Sequence, residues 1–196
     1  MPKPIIAVDI DDVIYPNVPS LIRYLDLNHK VKMTADDFVE YDIRKVWGGG
    51  PEEAEVIFKN YIRDSDIEIA PLKGAQETLH KLSKKYQVII MSARDISSFP
   101  KTHRWITHHF PQIFKDVHLL GNKNDSLKFG SKAEVCKNLG VYCLVDDNLN
   151  AVTETNAIGV KTLLFGNYPW NQIDKLPEGV TRVNDWLEVL EYFDGQ

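Results

Sequence analysis

Two stretches of sequence decide the fold: residues 5–12 read IIAVDIDD and residues 141–148 read VYCLVDDN. Each begins as an uninterrupted apolar run and ends in paired aspartates. Short apolar runs without strict polar alternation are typical of strands that are buried on both faces, as in a parallel sheet. Three more runs share this character, so we predict five strands, at Ile5–Ile10, Gln87–Met91, Val117–Leu120, Val141–Val145 and Val160–Phe165.

Helical patterns alternate with these runs. Apolar residues keep helical spacing from Ala75 to Tyr86 and again from Trp186 to Phe193. Gly140 and Gly159 each follow a helical stretch and precede a predicted strand, which is the usual position of a glycine that ends a helix. Strand and helix alternating with short links predict an α/β fold, a doubly wound parallel sheet with helices on both faces in three layers.

The segment from Tyr15 to Ala70 breaks this alternation, because it contains helical patterns and no convincing strand. We predict three helices there, at Leu21–Leu27, from Thr34 to about Val46, and from Pro51 to about Tyr61. A helical block between the first two strands of such a sheet is best explained as an insertion. We therefore expect a core domain of residues 1–14 and 71–196, with a helical cap subdomain at 15–70.

The composition narrows the class of protein. The chain has 196 residues, a formal net charge of −5 and 43% hydrophobic residues, which is ordinary for one domain with an inserted subdomain. Its acidic balance argues against a broad nucleic-acid surface, and no apolar stretch is long enough for a membrane span or a signal peptide. Cys136 and Cys143 have the character of buried reduced thiols, so we expect a cytoplasmic protein. The choice between a monomer and a homodimer stays open.

Acidic residues follow two of the predicted strands. The first strand ends in Asp9, Asp11 and Asp12, and the fourth ends in Asp146 and Asp147. If these strands are neighbours, four or five carboxylates meet in one place, where they resist joint ionisation unless a cation is bound. Oxygen ligands without histidine or cysteine favour Mg²⁺ over zinc. The alternative is a set of separate, solvated loop acids.

Lys132 and Ser92 are the second group of candidates. Ser131 and Glu134 form a capping box, which places Lys132 in the first turn of a helix, where a cation opposes the helix dipole. An anion held at that position would explain the lysine; otherwise it is a surface residue. Ser92 follows the second strand and either caps the next turn or donates a hydrogen bond to a phosphate oxygen.

In chain order these residues resemble the four motifs of the haloacid dehalogenase superfamily of phosphohydrolases: Asp9-Ile10-Asp11-Asp12-Val13, then Ser92, then Lys132, then Asp146-Asp147. The resemblance covers nearly the whole chain, including the helical insertion. Val13, the stretch PLKGAQETLHKLSKKYQVIIMSAR and the later LLFGNYPWN are similar to the branch of 5′(3′)-deoxyribonucleotidases and related bacterial or phage nucleotidases. Asn17 departs from that branch, which has an aromatic residue at this position.

The resemblance implies a role for each motif residue. Asp9 would be the nucleophile that forms an aspartyl-phosphate, and Asp11 would be the general acid and base. Mg²⁺ would be held by the Asp9 carboxylate, the Asp11 backbone carbonyl and the fourth motif, with Asp147 in direct contact and Asp146 behind it. The residues expected to bind the phosphate are Ser92, Ala93 and Lys132.

The implied activity is a Mg²⁺-dependent phosphomonoesterase, with a (deoxy)nucleoside 5′-monophosphate as the expected substrate. Side chains that could contact the base are Arg94, Phe38, Tyr41, Trp47 and Arg44, although Phe38 and Tyr41 also fit the packing stripe of the cap. The alternatives are a sugar or other metabolite phosphate and the phosphorylated end of a nucleic acid.

Two non-enzymatic alternatives also have a doubly wound sheet. A receiver module, phosphorylated on an aspartate, carries similar residues, but there the lysine follows the last strand, whereas Lys132 precedes the second pair of acids. A receiver also has no place for the helical insertion. An inactive phosphate-binding module would have lost a motif residue, and none is missing here.

Overall fold

Six parallel strands form one sheet in the computed structural model, which describes residues 2–39, 50–64, 68–121 and 131–195. The strands are β1 (Ile5–Val8), β2 (Gln87–Asp95), β3 (Phe114–Gly121), β4 (Val141–Asp146), β5 (Lys161–Phe165) and β6 (Val180–Val183), in the spatial order β3-β2-β1-β4-β5-β6. The five predicted strands are confirmed. The sixth, with the sequence VTRV, was not predicted because only its two end residues are apolar and buried.

Helices cover both faces of the sheet and confirm the predicted three layers. Their bounds are α1 (Asn17–His29), α2 (Pro51–Asp64), α3 (Ala75–Lys85), α4 (Phe99–His109), α5 (Lys132–Leu139), α6 (Leu149–Ala157) and α7 (Trp186–Asp194). Side chains of α3, α4 and α7 pack on one face, against residues such as Ile6 and Val8. Side chains of α5 and α6 pack on the other face. No helix in the described parts of the chain has the length and apolar character needed to cross a membrane.

The centre of the sheet explains the uninterrupted apolar runs. β1 lies between β2 and β4, with Ile6 beside Val88 on one side and Cys143 on the other. Since successive residues of β1 point to opposite faces and both faces carry helices, every position from Ile6 to Val8 is fully buried. Cys143 and Cys136 are free and buried, as predicted.

The strand order places a crevice at the carboxyl ends of β1 and β4. The chain runs outward from β1 to β3 and then returns to the other side of β1, so the direction of winding reverses between these two strands. In open α/β sheets, ligands bind at such a switch point. Asp9 follows β1 directly, and its backbone N–H donates to the carbonyl of Val145 at 2.9 Å, which holds the two strand ends together.

The helices α1 and α2, which come after β1 in the chain, share a hydrophobic cluster of their own, apart from the sheet. It consists of Val18, Leu21 and Leu25 of α1, Phe38, and Ile57 and Tyr61 of α2. The helices predicted at Leu21–Leu27 and from Pro51 are confirmed, as α1 and α2. The cluster is what a helical cap requires, and the limits of 15 and 70 stay a prediction.

The helix predicted to begin at Thr34 is wrong over the described residues. Thr34 and Asp37 do form the capping box, with the Asp37 carboxylate accepting from the Thr34 N–H at 2.7 Å. However, only one 3₁₀ turn comes after it, at Ala35–Asp37, and the backbone leaves helical geometry at Phe38 (φ −89°, ψ 63°). The Phe38 side chain is buried in the cap cluster, so tertiary packing outweighs the local signal. Residues 40–49 lie outside the described part.

Candidate active site

Three carboxylates meet at the switch point. Asp9 after β1, Asp146 at the end of β4 and Asp147 after it bring oxygen atoms to within 4.8 Å of one another, and all three residues are buried. Two neighbouring parallel strands each end here, which is why residues far apart in sequence converge. The predicted convergence is therefore confirmed for three of the five acids.

Burial and mutual repulsion make these acids hard to ionise. Burial raises the pKa of Asp9 to about 7, against the opposing effect of Lys132, and the nearby Asp146 carboxylate adds to the rise. The pKa of Asp147 lies well above its usual range for the same two reasons, burial first and the charge of Asp146 second. A cation bound among these groups would relieve both effects.

Lys132 bridges two of the acids. Its Nζ lies 2.8 Å from Oδ1 of Asp9 and 2.7 Å from Oδ2 of Asp146, and its side chain is only 11% exposed. The capping box predicted at the start of α5 is confirmed, since Ser131 N–H donates to the Glu134 carboxylate at 2.9 Å. The anions that compensate for a cation at this helix start are therefore carboxylates of the site itself.

Asp147 is held by a loop whose role the sequence did not reveal. Nε1–H of Trp170 donates to Oδ2 of Asp147 at 2.6 Å, and the Asn171 side-chain amide donates to the Asp147 carbonyl at 3.0 Å. Tyr168 stacks on Trp170 and donates its hydroxyl hydrogen to the carbonyl of Asp12 at 2.8 Å. The stretch YPWN had signalled a family resemblance only. The sequence did contain one indication of this role: Tyr168 and Trp170, two aromatic side chains that can donate hydrogen bonds, come shortly after the buried strand β5.

Asp12 serves the backbone and not the acidic cluster. It has a left-handed conformation (φ 55°), and its carboxylate accepts from the N–H of Val18 in the first turn of α1, at 3.0 Å. A carboxylate at the start of a helix satisfies a backbone donor and complements the helix dipole. Asp12 is therefore the anchor of the first cap helix.

Asp11 is also turned away from the cluster. Its two oxygens accept from Arg94, at 2.9 Å from Nε and 2.6 Å from Nη2, and the two side chains are 15% and 12% exposed. Arg94, predicted as a substrate-binding residue, thus forms a two-pronged ion pair with the predicted general acid. Because the two residues are far apart in the chain, the sequence could not indicate this pairing.

Ser92, Ala93 and Arg94 lie at the carboxyl end of β2, beside β1 in the sheet. Ser92 is buried, and its Oγ accepts from the N–H of Arg94 at 3.2 Å. This is the first of the two roles predicted for Ser92, which is to cap the turn that follows it. Ala93 is exposed. Gly121 of β3 passes so close that a Cβ added there would overlap the carbonyl oxygen of Ala93. This glycine is needed for close approach and not for an unusual φ.

The candidate base-contacting residues have separate outcomes. Phe38 is buried in the cap cluster, which is the packing role weighed against base contact. Tyr41, Arg44 and Trp47 lie outside the described residues. A separate question is whether histidines could form a metal site. His103, His108 and His109 lie on α4. In the described chain the only group with metal-ligand geometry is Asp9, Asp146 and Asp147, which contains no histidine.

The acidic cluster fits a divalent cation such as Mg²⁺. Three buried carboxylates face one lysine ammonium, so their full ionisation leaves an excess of two negative charges in the described site. The donors are oxygen atoms, which suit a hard cation. Both oxygens of Asp146 are engaged, by Lys132 and by the N–H of Asn148 at 3.0 Å, whereas Asp147 accepts from Trp170 through Oδ2.

Known structures share this fold. A haloacid dehalogenase-like hydrolase from Streptococcus pneumoniae superposes with a TM-score of 0.69 at 17% identity, covering 97% of this chain and 98% of its own. The hydrolase YfnB from Bacillus subtilis, solved bound to magnesium, superposes with a TM-score of 0.66 at 12% identity, covering 99% and 100%. At these identities the likeness establishes the haloacid dehalogenase fold.

Sequence relatives go further than the fold. The 5′(3′)-deoxyribonucleotidase of Bacillus phage SPbeta is 25% identical over 125 residues, which cover 62% of this chain and 70% of the phage protein. The model of the family described as 5′ nucleotidase, deoxy (Pyrimidine), cytosolic type C protein matches residues 3–193. This match decides against a receiver module. Because it spans nearly the whole chain, the protein belongs to this 5′-nucleotidase family and is a phosphoric monoester hydrolase.

Proposed function

We propose that the protein is a Mg²⁺-dependent phosphatase of (deoxy)nucleoside 5′-monophosphates that works through an aspartyl-phosphate. The observation that carries the proposal is the buried cluster of Asp9, Asp146 and Asp147, bridged by Lys132, at the switch point of the sheet. The nucleotide substrate is supported by the match to the 5′-nucleotidase family and by the likeness to the 5′(3′)-deoxyribonucleotidase of the phage. A cytoplasmic location is part of the same proposal.

Asp9 is the nucleophile in this mechanism. One of its oxygens attacks phosphorus, and the bond from phosphorus to the leaving oxygen breaks as the aspartyl-phosphate forms. Lys132 lies 2.8 Å from Oδ1 of Asp9, so its positive charge is adjacent to the point where the phosphoryl group arrives. Ser92 and the backbone amide of Ala93, at the carboxyl end of β2, are assigned to the remaining phosphoryl oxygens.

Asp11 carries the proton in both half-reactions. It gives a proton to the leaving nucleoside oxygen and then takes one from the water that attacks the aspartyl-phosphate. Hydrolysis regenerates Asp9 and releases inorganic phosphate, so no proton is lost or gained by the protein over the cycle. Its position on the turn after β1, two residues from Asp9, supports this assignment.

The cation site is assigned to Asp9, Asp147 and the backbone carbonyl of Asp11. Bound Mg²⁺ would supply charge neutralisation between an anionic nucleophile and an anionic substrate. Asp146 is assigned to holding Lys132, whose ammonium lies 2.7 Å from its Oδ2. Trp170 fixes the Asp147 carboxylate through Oδ2.

The proposal is tested by phosphate release from ribo- and deoxyribonucleoside 5′- and 3′-monophosphates, sugar phosphates and p-nitrophenyl phosphate, with Mg²⁺ and with EDTA. We expect Mg²⁺-dependent release that is greatest for nucleoside 5′-monophosphates and absent in Asp9→Asn. Asp11→Asn should slow turnover and accumulate phosphoenzyme, which acid quenching and intact-mass measurement would detect. Preference for a sugar phosphate, or for a 5′-phosphorylated oligonucleotide added to the panel, would overturn the nucleotide assignment while keeping the chemistry.

A further inference from the structure

The Asp11 carboxylate is oriented by a single side chain in the described structure. Arg94 lies 83 residues away in sequence, at the end of β2, and binds both carboxylate oxygens at 2.9 and 2.6 Å. The backbone around Asp11 is fixed separately, because the N–H of Asp12 donates to the Tyr15 carbonyl at 2.7 Å. What Arg94 adds is therefore the direction of the side chain.

Arg94 is itself held in place from several sides. Its Nη1 donates to Oγ1 of Thr102 on α4 at 3.1 Å, and its guanidinium lies 4.9 Å from the centre of the Tyr15 ring. The backbone at Ala93 and Arg94 packs directly against Gly121 of β3. A planar guanidinium with both prongs on one carboxylate, supported by a hydroxyl and an aromatic ring, has little freedom to turn.

Three of the five N–H donors of the Arg94 guanidinium are used within the protein. Nε and Nη2 contact Asp11 and Nη1 contacts Thr102, so all three guanidinium nitrogens have an intramolecular acceptor. An arginine that turned its two-pronged face to a substrate phosphate would have to leave this partly buried ion pair, and the separated Asp11 carboxylate would then lose both of its hydrogen bonds. The arrangement instead suits a residue that acts on Asp11.

We propose that Arg94 is a positioning residue that directs Asp11 at the leaving-group oxygen. This inference rests on the proposed function, in which the Asp11 proton passes to that oxygen as the bond to phosphorus breaks and Asp9 takes the phosphoryl group. Positioned acid–base catalysis contributes about 10²–10⁴-fold to a rate, and misplacement by about 1 Å can cost about 10²-fold. Loss of Arg94 should therefore cost about 10–100-fold wherever the leaving group needs a proton.

Two substrates that differ in the leaving group test this. A nucleoside monophosphate expels an alkoxide, which needs protonation, whereas p-nitrophenyl phosphate expels a stable phenolate, which does not. Since kcat/KM reports the steps up to departure of the leaving group, Arg94→Met should lower kcat/KM for the nucleotide about 10–100-fold more than for p-nitrophenyl phosphate. Equal losses for the two substrates would overturn the proposal, because a structural or phosphate-binding role affects both alike.

A double-mutant cycle separates action through Asp11 from direct substrate binding. If Arg94 works through Asp11, then adding Arg94→Met to Asp11→Asn should change nucleotide kcat/KM by less than about 3-fold. A further loss of 10-fold or more would overturn the proposal. Arg104→Met, an exposed arginine on α4, is the matched control and should leave both substrates unaffected.

Folding and the proposed function have separate readouts. Arg94→Lys keeps the charge but cannot bind both oxygens in one plane, so it should show the same substrate split at a smaller size even if Arg94→Met does not fold. Thermal melting of each variant identifies loss of structure. A wild-type protein that is inactive on the whole panel would refute the proposed function, whereas an active wild type with a uniform loss in Arg94→Lys refutes only the role of Arg94.

Discussion

Replacing Asp9 by asparagine should stabilise the metal-free protein while abolishing its turnover. The Asp9 side chain is 8% exposed and burial raises its pKa to about 7, from an ordinary value of 3.8. Between these two values the native state retains a proton that the unfolded chain releases. The free energy of unfolding therefore falls as the pH rises from about 4 to about 7, and the loss is complete above the folded pKa.

The size of the effect is set by the pKa difference. At about 1.4 kcal/mol per pH unit, ionising Asp9 in the fold costs at most about 4 kcal/mol at pH 8. Relaxation and water entry reduce this, so we expect Asp9→Asn to gain about 1–3 kcal/mol, or roughly 3–10 °C in Tm for a chain of this size. At pH 5 the native aspartate keeps its proton while the unfolded one has released it, so about 1.6 kcal/mol of this upper bound is already present, and the two proteins should differ by less than half as much as at pH 8.

Denaturant and thermal unfolding in EDTA at pH 5 and pH 8 measure this directly. The decisive quantity is the difference between Asp9→Asn and wild type, because it removes the contributions of all other titrating groups. Asp174→Asn, which changes an exposed acid, is the matched control and should show no difference at either pH. If Asp9→Asn is less stable than wild type at pH 8 in EDTA, the argument that burial makes the ionised Asp9 carboxylate costly is refuted.

Three other variants examine other contacts of the site. Lys132→Met should lower activity at least about 10²-fold and cost about 3–5 kcal/mol in unfolding free energy, because it leaves Asp9 and Asp146 without their cation; Mg²⁺ should restore part of the stability. Trp170→Phe removes the donor to Asp147 and should weaken Mg²⁺ binding about 10-fold, as measured by calorimetry. Trp105→Phe changes a tryptophan that does not contact Asp147 and is the comparison. Gly121→Ala should lower kcat at least about 10-fold, because the new methyl group displaces Ala93 and Arg94; unchanged kinetics would contradict the close approach.

The strands were predictable where burial leaves a clear pattern. β1, β2, β4 and β5 have helices on both faces, so their sequences are largely apolar. β6 lies at the edge of the sheet and has two polar residues in four, a pattern that any loop can have. The false helix after Thr34 shows the converse, since a correct capping box does not ensure a helix when Phe38 turns into the cap cluster.

The site was predictable in its chemistry but not in its connections. Asp9, Asp11 and Asp12 are close neighbours in sequence, yet they have three different partners: Lys132, Arg94 and the N–H of Val18. The left-handed backbone at Asp12 and partners up to 123 residues away set these directions. Periodicity and motif order carry neither kind of information, so the sequence predicted four or five converging acids where three converge.

The three aspartates of the turn after β1 therefore have three different roles, because each carboxylate points to a different partner. The Asp12 carboxylate accepts a hydrogen bond at the start of α1, and the Asp11 carboxylate is paired with Arg94. Neither therefore adds its full charge to the cluster around Asp9. Had all five carboxylates converged, one lysine would have faced five negative charges. The distribution keeps the excess near two, which is the charge of one Mg²⁺ ion. Protons and Mg²⁺ should therefore compete for the same cluster, and Mg²⁺ binding should tighten as the pH rises through about 7, where Asp9 loses its proton.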